Sequence, residues 1–106
     1  MSTRANIRIK QGRKTAYLYH HHDGNPNYLG SWISDYLKNL GIYGWGANDI
    51  VTDLIKGKCG DSDEFEFSLY LHTDTEYDYV VDCDKKTLKC TDVKTKEVIW
   101  IRNYTK

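Results

Sequence analysis

The chain has 106 residues, 40% of them hydrophobic, and 15 basic side chains balance 15 acidic ones. That length makes a single domain over residues 1–106, able to bury about two-thirds of its unfolded surface without staples. Three cysteines (Cys59, Cys83, Cys90) at irregular spacing exclude a disulfide framework, and no stretch approaches the ~20 apolar residues of a membrane span.

Met1 to Asn6 is polar. Ile7 and Ile9 alternate with Arg8 and Lys10 as a short half-buried strand. Gln11 to Lys14 reads as a turn, and Thr15 to His22 as a second strand forming a hairpin with the first. Ala16, Leu18, His20 and His22 then share one face, and Tyr17, Tyr19 and His21 the other. The turn Asp23-Gly24-Asn25-Pro26 leads into the strongest helix signal. Asn25 is a good N-cap, Pro26 suits the first helical position and Gly41 is a natural stop. Tyr28, Leu29, Trp32, Ile33, Tyr36, Leu37 and Leu40 form its apolar stripe, and Gly30 suits close approach to the sheet.

An aromatic, glycine-punctuated loop follows, and Asn48 caps a second helix ending at Gly57. The remainder alternates with period two. Phe65, Phe67, Leu69 and Leu71 point inward from one strand. Tyr77 to Asp84 and Leu88 to Val93 pair across an Asp84–Thr87 turn, with Cys83 opposite Leu88 and Val81 opposite Cys90. Glu97 to Arg102 is the last strand. The order ββααββββ predicts an α+β domain: a mostly antiparallel sheet of five or six strands with two helices on one face.

The charge is segregated. Residues 1–22 carry five basic side chains and no acid, and residues 61–84 carry nine acids and no Lys or Arg. Cross-strand pairing explains this, and an acidic surface toward a basic partner is the sharper reading.

Four chemistries merit weighing. His20, His22 and Asp23, with His72 or Asp74, could hold a metal, although the separated second ligand pair of known metal motifs is missing. The first helix N-terminus beside His20, His22, Asp23 and Asn25 could hold an anion or small ligand, against a plain capping turn. The sheet face away from the helices would carry Tyr17, Tyr19, His21, Tyr70 and His72. Glu66, Asp78 and Asp82 share it and would repel phosphates, so a protein partner fits better than nucleic acid. Cys59 beside Lys58 is a weak nucleophile signal, and no catalytic motif accompanies it. The expectation is a non-enzymatic cytoplasmic binding protein without metal or cofactor, able to form a homodimer. Its partner-binding residues are Tyr17, Tyr19, His21, Glu66, Tyr70, His72, Asp78 and Asp82. The alternative is a ligand or metal site at His20, His22, Asp23 and Asn25.

Thr3-Arg4-Ala5-Asn6, and His-His-Asp-Gly-Asn-Pro followed by Leu29-Gly30, resemble motifs of small phage and mobile-element proteins. Asn25 stands where tyrosine is commoner in that family, and the resemblance spans about the first third of the chain. It implies an accessory protein which, like anti-CRISPRs, inhibits a host defence complex by binding.

Overall fold

The first hairpin sets the frame of the sheet. Ile7 and Ile9 are fully buried while Lys10 is exposed. The structure, a computed structural model, describes residues 3–20, 24–40, 46, 50, 51 and 65–104. Strand β1 (Ala5–Gln11) turns at Gly12 and Arg13 into β2 (Lys14–His20). Gly12 takes φ +60, a left-handed value suited to the first position of a two-residue hairpin turn.

Asn25 caps the following helix, its side chain accepting from the Tyr28 amide, and Pro26 stands at the helix start. The first turn, Pro26–Gly30, is a π-turn, and α1 (Ser31–Leu40) continues it. Leu29, Ile33, Tyr36 and Leu37 are buried, whereas Tyr28, expected in the apolar stripe, is exposed. A π-turn rotates its residues away from the 3.6-residue phase on which that stripe was drawn.

The remaining strands are β3 (Phe65–Ser68), β4 (Tyr77–Asp82), β5 (Thr87–Asp92) and β6 (Val98–Asn103), in the sheet order β3-β2-β1-β4-β5-β6. Every pair is antiparallel except β1 with β4. The α+β class and the mostly antiparallel six-stranded sheet therefore stand. Among the described residues one helix, not two, covers the sheet. Of the second, only Ile50 and Val51 are described, both in helical conformation, and the rest of the expected helix lies outside the described residues. Ile50 is buried in the core and its amide donates to the Gly46 carbonyl at 3.3 Å.

Registry carries the helix-side face across all six strands. His20 pairs with Phe65, Leu18 with Ile7, Ile7 with Tyr79, Tyr79 with Cys90, and Cys90 with Trp100. Tyr79 is fully buried, and its hydroxyl donates to the Gly24 carbonyl at 2.7 Å. A Cβ at Gly30 would lie 2.6 Å from Trp100, so the glycine lets the helix settle onto that ring.

Two expectations need correction. The β4–β5 pairing is two residues out of the expected register: Val81 faces Leu88 and Tyr79 faces Cys90. Asp82 closes the turn by accepting from the amides of Asp84 and Lys85, and Lys86 takes a left-handed φ of 57. Cys83 therefore sits in the turn. A slip of two keeps every side chain on its face, which explains why face patterning could not detect it. The strand expected to bury Phe65, Phe67, Leu69 and Leu71 ends at Ser68, and only Phe65 of the four is buried.

Candidate functional site

Ser68 ends β3 by turning its hydroxyl back on its own chain. Its Oγ donates to the Tyr70 carbonyl at 2.7 Å and accepts from the Tyr70 amide at 3.3 Å. Ser68 Oγ also lies 3.2 Å from His72 Nε2. While the Ser68 hydroxyl donates to the Tyr70 carbonyl, its contact with His72 can only be one it accepts from Nε2–H. Ser68 and His72 thus cap the bend that ends β3.

From Ser68 the chain crosses to β4, three strand spacings away, in eight residues. Strands lie about 4.8 Å apart, so the crossing covers roughly 14 Å sideways, within the reach of an extended segment. The strap runs over the sheet face opposite the helix. Asn6, buried on that face, fixes it: its Nδ2 faces the His72 carbonyl (2.9 Å), Thr75 Oγ1 (3.1 Å) and Asp78 Oδ1 (3.0 Å). Its Oδ1 accepts from the His72 amide at 3.0 Å. Two amide protons are therefore shared among three acceptors. The His72 ring stacks on Tyr19 at 3.9 Å between centroids. The Tyr19 hydroxyl donates to Asp74, which also meets Arg4 at 3.5 Å. Burial, followed by the Asp74 contact, raises the Tyr19 pKa.

The strap holds its own apolar side chains in water. Leu69 is 81% exposed and Tyr70 64%, and just before the strap Phe67, on the helix side of β3 opposite Leu18, is 54% exposed. Beside Phe67 and Leu69 opens a cavity of about 670 Å³ lined also by Ile9, Ala16, Tyr17 and Val51. Its size falls in the range of sites that take a side-chain anchor or small ligand.

By registry Tyr17, Tyr19, Glu66, Asp78 and Asp82 lie on the face opposite the helix. Tyr19 is buried beneath His72, so it supports the surface instead of forming it. Tyr70 and His72 belong to the strap, with Tyr70 outermost. His21 lies outside the described residues, as do His22, Asp23 and Cys59. Much of the acidic run is engaged internally: Asp74 with Tyr19 and Arg4, Asp78 with Asn6, Asp82 in its turn, and Asp84 with the Gly12 amide at 2.7 Å.

His20 is buried on the helix side, edge-on to Phe65, and is separated by the sheet from His72 and Asp74. Among the described residues no group of three or more His, Cys, Asp or Glu is placed to hold a metal. At the helix start the amides of Tyr28, Leu29 and Gly30 all point at the Asn25 carbonyl, at 3.2, 3.0 and 3.5 Å. This inward aim reduces the donors open to an anion.

Sequence reasoning singled out Tyr70 and His72 but missed Phe67, Leu69 and Leu71 as surface residues, because their alternation is that of a buried strand. The Ser68 bend is the feature that releases Leu69 and Leu71, while Phe67 keeps its helix-side register opposite Leu18 and is exposed because β3 is an edge strand. No protein-family model, curated protein or solved structure matches the chain.

Proposed function

We propose that this chain is a non-enzymatic binding protein of phage or mobile-element type that inhibits a host defence complex by protein–protein contact. The observation that carries the binding reading is the exposed apolar run at the β3 end, Phe67, Leu69 and Tyr70. Apolar side chains that are exposed together, at the start of a strap that Asn6 holds at His72, are the mark of an interaction surface. Tyr70 is an anchor of the kind that dominates interface energetics, and the adjoining cavity offers a socket for a partner side chain. The turn-cap role of the Ser68–His72 contact and the raised pKa values of the buried thiols Cys83 and Cys90 favour binding over catalysis. The host-defence target rests on the phage-protein resemblance.

A plating assay tests the reading. The chain is expressed in hosts carrying defined, active defence nucleases, and phage plating is compared with an empty vector. Restored plating against one system is expected, with direct binding of the purified chain to that nuclease. Leu69→Lys with Tyr70→Ala should reduce binding about 100-fold or more, as paired losses of interface anchors do. Unchanged plating throughout and no binding at micromolar concentration would count against it.

A further inference from the structure

Strand β6 forms the opposite edge of the sheet, far from the strap in strand order, and beyond the irregularity at its start the described residues give it little of the usual protection of an edge. It holds no proline and one charged residue, Arg102, within Val98–Asn103. Val98 is 50% exposed, Ile99 42% and Ile101 60%.

The backbone of this edge is open in a definite register. The Tyr104 amide donates to the Lys86 carbonyl at 3.1 Å. Bonded and non-bonded pairs alternate in an antiparallel ladder, so Leu88–Arg102 and Cys90–Trp100 are bonded pairs and Lys89–Ile101 is not. The N–H and C=O of Ile101 and Asn103 therefore point outward. The irregularity between Cys90 and Thr91 affects the start of β6 and leaves Trp100–Asn103 regular.

We infer that β6 pairs with β6 of a second copy of this chain, antiparallel about a two-fold axis at Ile101, joining two six-stranded sheets into one. An edge of unpaired N–H and C=O groups is complemented by a β-strand, and this strand complements itself. With Ile101 opposite Ile101 of the second copy, two exposed apolar side chains cover each other on the face away from the helix. Arg102 then lies opposite Trp100 of the second copy, and the reverse. Within one chain the Arg102 guanidinium already sits 4.0 Å from the Trp100 ring centre. The register thus places each cation near two electron-rich ring faces, and neither near the other cation. The contact is short compared with stable dimer interfaces, so association is expected in the micromolar range with fast exchange.

Sedimentation equilibrium of the full chain, from micromolar to millimolar concentration, tests this. The wild type should fit a monomer–dimer equilibrium. Ile101→Lys should weaken it about tenfold or more by placing two like charges together. Ile101→Pro should do the same, because it removes an outward N–H and no bond to β5. Circular dichroism at low concentration checks that each variant keeps its strands. A wild type that stays monomeric throughout overturns the inference, whether or not another protein's strand binds there. So does a dimer that survives either substitution at undiminished strength. Leu69→Lys, at the other edge, should leave the dimer unchanged, and a dimer lost through it overturns the inference equally.

Discussion

Asn6 shows how much one side chain decides in a small domain. It lies among β-forming neighbours, yet it is buried, and its amide satisfies both backbone polar groups of His72. Replacing it with leucine keeps the volume and leaves those groups without their partner. The expected cost is about 2–4 kcal/mol, the range for breaking a buried hydrogen-bond network. Thermal melting measures that cost. Hydrogen exchange should show faster amides at His72 and the strap around it, while β4 and β5 change little. Equal protection in strap and strands would show that Asn6 does not pin the strap. The four residues Thr3 to Asn6 act together in this way. The Thr3 carbonyl accepts from the Gly24 amide, the Arg4 carbonyl from Glu76, and Arg4 reaches Asp74. Gly24 also needs its missing side chain, since a Cβ there would lie 2.9 Å from Ala5 Cβ and from the Thr3 carbonyl. Two motifs separated in the sequence therefore meet in space.

At the scale of the element, the helix and the sheet are registered by Gly30 against Trp100. Gly30→Ala places a methyl group 2.6 Å from the ring, and a fused ring system has no flexible end to yield. The expected destabilisation is about 1–3 kcal/mol, the range for overpacking. Trp100→Phe removes the two ring atoms nearest the new methyl, so the double variant should lose less than the sum of the single ones. Additive losses in a double-mutant cycle would place the strain elsewhere. The helix itself was legible because Asn25, Pro26 and the spacing of Leu29, Ile33 and Leu37 are local signals. The Trp100 contact was not, because it joins residues 70 positions apart. The strap was misread for a related reason. Phe65 to Leu71 alternates as a strand should, and the bend comes from Ser68 capping Tyr70 and from Asn6, 66 residues away from His72.

For the whole molecule, the buried core sets a pH limit. Burial raises the Cys90 thiol pKa from 9.0 to about 11, and it also raises those of Cys83, Tyr79 and Tyr104. Each group is held neutral more firmly in the folded state than in the unfolded chain. Its stabilising effect is complete below the unfolded pKa and is lost as pH rises toward the folded one. Stability should therefore fall between pH 9 and about 11 through Cys90, with the tyrosines extending the loss to higher pH. Denaturant melts across that range check it, and Cys90→Ala should flatten the slope. A slope that Cys90→Ala leaves untouched would remove the thiol as its source.

The α+β class, the first helix with its cap, the hairpin faces and the core side of His20 follow from local propensity and from side-chain period, which the sequence by itself carries. Tertiary structure alone decided three other matters. It set β1 parallel to β4, because the strap can cross three strand spacings and Asn6 holds it there. It set the β4–β5 register, because a slip of two residues leaves the apolar faces unchanged and only the Asp82 turn distinguishes the alternatives. It exposed Phe67, Leu69 and Tyr70, because whether an apolar side chain finds a neighbour depends on what the rest of the chain places over it.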